Sequence, residues 1–129
     1  MTPPADKKLL LTVLWIFVLF NYIYADLLMM IVNPTLYQRA AARMTSGAVL
    51  GFAVLMEILI AMVLLASLLP YRANRWANII GALVGTAFVA VTLRGSAPLY
   101  YLFFSTLEIA CTLAIGWYAW TWRIPDGAH

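Results

Sequence analysis

Four long apolar runs, each closed by a proline or an arginine, dictate most of what this chain can fold into. The first extends from Leu9 to Val32 and ends at Asn33-Pro34, and the second extends from Gly47 to Leu69 and ends at Pro70. The third, Trp76 to Leu93, stops at Arg94, and the fourth, Leu99 to Trp122, stops before Pro125. At 1.5 Å per helical residue, runs of roughly 18–24 residues reach across a hydrocarbon core ~30 Å thick. Hydrocarbon offers no water to pair with exposed backbone groups, so a spanning segment must satisfy its own N–H and C=O groups as a helix. The expected architecture is an all-α integral membrane four-helix bundle, one transmembrane domain over residues 1–129 with spans at 9–32, 47–69, 76–93 and 99–122. Short turns make neighbouring spans antiparallel and place both termini on the same side. The one sizeable loop, 34–45, carries Arg39 and Arg43 and is expected to lie in the membrane interface as a short helix.

Composition agrees with lipid as the solvent: 65% of residues are hydrophobic and 10% charged, against about 45–50% and about 25% in soluble domains. The net charge of +3 does not point to nucleic acid, because the eight basic residues are scattered at span ends instead of sharing a face. Lys7, Lys8, Arg72, Arg75 and Arg123 fall on one side, and Arg39, Arg43 and Arg94 on the other. This positive-inside bias predicts a multi-pass protein of the cell (inner) membrane with cytoplasmic N- and C-termini. Lys7-Lys8 before an apolar stretch also resembles a signal peptide, but the run is too long and lacks a clean small-x-small cleavage site. Trp76, Trp117, Trp120 and Trp122 on the terminal side, with Tyr100 and Tyr101 opposite, are expected as interfacial anchors. The single Cys111 excludes an internal disulfide and reads as a packing residue.

Of the five acidic residues, only Asp6 and Asp126 lie outside the spans; Asp26, Glu57 and Glu108 sit within the first, second and fourth. Each ionised carboxylate near a bilayer centre costs at least ~2.5–3.5 kcal/mol on insertion scales, so intramembrane acids are candidates for function. Counted from the border opposite the termini, Glu57, Glu108 and Asn21 reach roughly 14–15 Å, near the midplane, and Asp26 roughly 9 Å. Tyr22 and Asp26 share a face of the first span, and Tyr101, Ser105, Glu108 and Thr112 form a polar stripe on the fourth. The expectation is an interior layer with Glu57 and Glu108 as a midplane pair beside Asn21, and with Glu57 approached through the small neighbours Ala53 and Ala61. The candidate ligand- or proton-binding residues are therefore Glu57, Glu108, Asn21, Tyr22, Asp26, Tyr101 and Ser105. Asp26 and Arg94 are expected to form an ion pair, with the arginine reaching inward.

Gly47-x-x-x-Gly51 and Gly81-x-x-x-Gly85 each put two glycines on one helical face, where backbones can meet. The second motif, extended by Ala77 and Val89, predicts that the third span packs against a neighbour within the bundle or across a homodimer. Met29, Met30, Met56 and Met62 read as adaptable packing residues. No zinc-protease, P-loop, dinucleotide or serine-nucleophile motif occurs, and the lone histidine is His129. No catalytic residue, cofactor or metal is expected, and acid/base isomerisation of an apolar substrate is the one enzymatic chemistry the acids could serve.

Leu14-Trp15-Ile16-Phe17, the stretch Asn21 to Asp26, Leu55-Met56-Glu57-Ile58, the stretch Asn74 to Ile80, and Tyr100-Tyr101 through Glu108 to Trp117-Tyr118-Ala119-Trp120 resemble a family of uncharacterised bacterial four-span membrane proteins, domain of unknown function family 6326. The resemblance touches all four spans and implies that Asp26, Glu57 and Glu108 are family features. It implies no activity. The residues themselves favour a small membrane protein that binds or transports a proton, a cation or a small apolar or amphipathic ligand through its acidic layer. The competing expectation is a non-catalytic subunit or scaffold whose buried polar groups and glycine faces serve packing, against the lipid bilayer, a second copy or another membrane subunit.

Overall fold

The computed structural model describes residues 4–93 and 98–122, with side chains from Asp6 onward. Five helices follow one another: α1 Pro4–Val32, α2 Pro34–Ala42, α3 Ser46–Leu68, α4 Tyr71–Thr92 and α5 Leu99–Trp120. The four long ones are apolar and long enough to cross a membrane. The short α2, which buries no residue, occupies the loop expected to be interfacial.

Prolines and a hydroxyl set the helix boundaries. Pro34 occupies the first turn of α2, where its missing N–H is no loss. Thr45 Oγ1 accepts the Ala48 N–H at 3.1 Å and caps α3. Leu69 is extended because Pro70 follows it, which closes α3, and Pro70 and Pro98 then precede α4 and α5. Helix α4 begins at Tyr71, a full turn before the apolar run at Trp76, because the segment Tyr71–Arg75 contains no residue that breaks a helix.

The long helices close into a ring: α1 packs on α3 and α5, and α4 packs on the same two. On α1 the inward positions Leu11, Trp15, Val18, Tyr22 and Ala25 recur at alternating spacings of four and three, the seam of a left-handed bundle. Ala82 and Val89 of α4 and Cys111, Ile115 and Ala119 of α5 complete the core with Leu59, Met62 and Ala66 of α3. Most other large side chains face outward, among them Leu50, Leu64, Leu83, Phe103 and Leu113. A surface this apolar belongs against lipid tails. Both ends of the described chain lie together, with Lys7 Nζ 4.9 Å from the Tyr118 ring centroid and the Tyr71 hydroxyl donating to the Trp122 carbonyl at 2.7 Å.

Of the two alternatives expected for the third span, packing within the bundle is the one observed: Gly81 and Gly85 are buried, and each seats an aromatic side chain from α1 that crosses the bundle. A Cβ on Gly81 would stand 3.1 Å from Trp15 Cζ2, and one on Gly85 would stand 3.4 Å from the Tyr22 hydroxyl. One expectation is corrected: Trp122 is not an interfacial anchor, since it is buried edge-on against Tyr71 with ring centroids 5.3 Å apart.

Candidate functional site

The intramembrane polar groups divide into two layers with different degrees of satisfaction. Nearer the termini, Trp15 Nε1–H donates to Asn78 Oδ1 at 2.8 Å across the bundle. Asn78 Nδ2 donates to both the carbonyl and the Oδ1 of Asn74, at 2.8 and 2.6 Å. Asn74 Nδ2 in turn donates to the Ala66 and Leu69 carbonyls, at 2.7 and 3.2 Å. Both amide hydrogens of each asparagine are used, and the chain of bonds ends on carbonyls that the end of α3 leaves without helical partners. Arg75 reaches the end of α5, with Nε on the Ala119 carbonyl at 3.1 Å and a terminal nitrogen on the Trp120 carbonyl at 2.9 Å. The first turns of α4 thus cap both neighbouring helices, and the amide hydrogens of Asn74 and Asn78 are all committed to protein acceptors.

The second layer lies in the opposite half of the bundle and is open. All four long helices line a partly enclosed cavity of about 70 Å³. Tyr22 and Asp26 face it from α1, Tyr101 and Glu108 from α5. Phe52 and Met56 of α3 and Phe88 and Val89 of α4 form its apolar walls, beside Thr92, whose hydroxyl donates to the Val89 carbonyl. Glu108 is 4% exposed and makes no hydrogen bond among the described residues, while the Tyr22 hydroxyl is buried without a partner. Asp26 is exposed and stands where the cavity meets the outside of the bundle. Phe88 packs edge-on against Tyr22 at 5.9 Å and contacts Phe52 at 5.5 Å, which fixes the aromatic wall.

This grouping revises the pairing expected from the sequence. Glu108, Asp26, Tyr22 and Tyr101 do converge. Glu57 does not join them: it is exposed on the outward face of α3, as is Ala53. Because α3 is apolar all round, the acid was the only guide to its phase, and here it does not face inward. Asn21 is buried but spends its amide on the Phe17 carbonyl of its own helix at 2.8 Å, and does not line the cavity. Ser105 is also buried and outside the lining. Arg94, the expected partner of Asp26, lies outside the described residues.

A wider groove of about 310 Å³ runs between α4 and α5, over Ala82, Gly116 and Trp117. Its two hydroxyls are already paired: Thr112 donates to the Ile109 carbonyl at 3.0 Å and so accepts from Thr86 at 2.8 Å. It carries no acid. Cys111 is buried, and its thiol donates a weak hydrogen bond to the Leu14 carbonyl at 3.4 Å. Among the described residues no group of three or more His, Cys, Asp or Glu could hold a metal ion.

A family model described as a family of unknown function (DUF6326) matches residues 4–128. The chain belongs to this family. No curated protein and no solved structure matches it. On this DUF6326 member the stretch from Asn74 to Ile80 holds the asparagines and arginine of the capping layer, and the stretch from Asn21 to Asp26 supplies one wall of the cavity. Asn74 and Asn78 are not among the site residues singled out from the sequence, because Asn74 precedes the apolar run that opens at Trp76. Their spacing of four, in phase with Gly81 and Gly85, was the available signal.

Proposed function

We propose that this membrane protein binds a small cation, a proton included, in the cavity between α1, α3, α4 and α5, with Glu108 and Asp26 as the anionic groups. The observation that carries the reading is that two carboxyls and two phenols from two helices converge on a space otherwise walled by phenylalanine, methionine, valine, alanine and one threonine. Carboxylates attract positive charge, phenol oxygens accept donors from it, and the faces of Phe52, Phe88 and Tyr22 favour a cation electrostatically. In hydrocarbon such groups need a return on their desolvation, and a bound cation supplies one. Volume selects among the ligand classes: about 70 Å³ is half the roughly 150 Å³ that admits benzene in an engineered cavity. It is far below the about 300–1,000 Å³ of pockets for drug-sized molecules. Protons, alkali ions stripped of most of their water, ammonium and methylammonium fit, and a large amphipathic compound does not.

The bias of basic residues toward the terminal side supports cytoplasmic termini, which puts the cavity in the half of the bilayer facing away from the cytoplasm. The test is calorimetric titration of the protein in lipid nanodiscs with sodium, potassium, ammonium and methylammonium, together with infrared carboxyl bands followed across pH. The reading expects saturable binding, or a titrating carboxyl band, that Glu108→Gln abolishes and Asp26→Asn weakens at least tenfold, while Glu57→Gln leaves it unchanged. Folded Glu108→Gln protein with binding and carboxyl bands like those of the unsubstituted chain would refute it.

A further inference from the structure

Glu57 is left outside both polar layers, and its position is costly. It lies ten residues beyond Gly47, roughly 15 Å into the membrane and so near the midplane. The core residues of α3 are Leu59, Met62 and Ala66. At about 100° per residue they stand between about 140° and 200° round the helix from Glu57, so the acid points almost directly away from the bundle. Lipid tails offer such a carboxyl nothing to bond.

We propose that the outward face of α3 is where two copies of this chain meet, side by side in the same orientation, with Glu57 of each copy hydrogen-bonded to Glu57 of the other. Depth identifies the partner. All eight basic residues of the chain sit at or beyond span ends, so a second copy has no base to offer at the midplane. What it does offer there is another glutamate. A carboxyl that carries its proton is both donor and acceptor, and so is complementary to a second carboxyl. Such self-pairing is what a two-fold contact demands, because residues on the axis meet themselves.

The surrounding residues form a seam of the right period. Leu50, Glu57 and Leu64 are seven apart, with Ala53 and Ile60 three residues after the first two, the a/d pattern of a left-handed helix pair. Leu50, Ile60 and Leu64 are exposed, Ala53 is small, and nothing among the described residues covers them. A single polar residue at a central a position fixes register and partner number in such pairs. The glycine motif on α4 cannot serve instead, because Trp15 and Tyr22 already fill it. The proposal uses no residue of the cavity, so either can fail without the other.

The test combines disulfide trapping and dilution in lipid bilayers. Leu50→Cys and Leu64→Cys are expected to cross-link each to its own copy on oxidation, whereas Phe103→Cys on the outward face of α5, and the unsubstituted chain with its buried Cys111, are not. By energy transfer between labelled copies across a dilution series, Glu57→Leu is expected to raise the dimer dissociation constant roughly 3- to 20-fold, the range of interhelical hydrogen bonds in membranes. Glu57→Gln, whose amide is also self-complementary, stays within about threefold. The proposal is overturned by a chain monomeric at every dilution, as a lipid-covered face or one reserved for a different membrane protein would give. It is equally overturned by cross-linking at Phe103→Cys equal to that at Leu64→Cys, by linkage of Leu50→Cys only to Leu64→Cys, or by Glu57→Leu leaving the dissociation constant unchanged.

Discussion

Replacing Asn78 by leucine tests whether the capping layer holds the bundle. The side chains are similar in volume, so the substitution opens little space and acts mainly through hydrogen bonds. Three are lost: the one from Trp15 Nε1 and the two from Asn78 Nδ2 to Asn74. The Asn74 carbonyl keeps its helical partner, so two groups are orphaned, the Trp15 N–H and Asn74 Oδ1, in side chains that are both 0% exposed. Hydrogen bonds between membrane helices average only ~0.6 kcal/mol because the unfolded chain in lipid finds other partners. A buried donor or acceptor stranded in a closed core costs about 1–3 kcal/mol instead, and here neither water nor a second side chain can reach the site. The second effect should dominate, giving a destabilisation of about 2–4 kcal/mol for Asn78→Leu.

Trp15→Phe removes the donor from the same bond, so a double-mutant cycle isolates the pair. With both partners gone, the second substitution should cost at least about 1 kcal/mol less than it does alone. Unfolding in lipid by steric trapping, or in mixed micelles by denaturing detergent, measures all four proteins. An Asn78→Leu effect below about 0.5 kcal/mol, or strict additivity in the cycle, would show that the network does not act as a unit.

Other expectations follow from single contacts. Gly81→Leu should destabilise by about 1–3 kcal/mol or more through collision with Trp15 and Met62, whereas Gly51→Leu should be nearly neutral because a Cβ at Gly51 meets nothing within 4 Å; thermal unfolding separates the two. Arg75→Ala should cost about 1–3 kcal/mol by uncapping the end of α5, and Arg75→Lys should recover only part of this because lysine lacks the two-pronged donor set. Tyr22→Phe should leave stability unchanged or raise it, since the hydroxyl has no partner to lose. The same substitution should weaken cation binding, so a Tyr22→Phe protein with lower stability and intact binding would contradict the cavity.

The spans were legible because hydropathy and proline punctuation act on the backbone directly. The starts of α1 at Pro4 and α4 at Tyr71 were not, because a helix continues past the apolar run wherever no residue breaks it. On α5 the stripe of Ser105, Glu108 and Thr112 was read correctly as inward, since apolar residues on the remaining faces fixed its phase. Helix α3 offered no such contrast, and the rule that polar groups on apolar helices face inward misplaced Glu57. For Gly81 and Gly85 the pattern revealed close approach but not its agent. A glycine pair admits a neighbouring backbone and a crossing tryptophan equally well, and only the packed bundle distinguishes them.

On the proposed function the two polar layers do different work, the asparagine layer holding the helices and the Glu108 cavity receiving a cation. Thermal unfolding in lipid with and without the bound cation reads both at once, because a ligand of the folded state raises the midpoint according to its affinity. Glu108→Gln is predicted to unfold at the unsubstituted midpoint in the absence of cation and to show no cation-dependent rise, and Asn78→Leu to start lower and keep the full rise. The opposite result, a Glu108→Gln protein that is destabilised yet still responds to cation beside an Asn78→Leu protein that is stable and unresponsive, would contradict the assignment of roles.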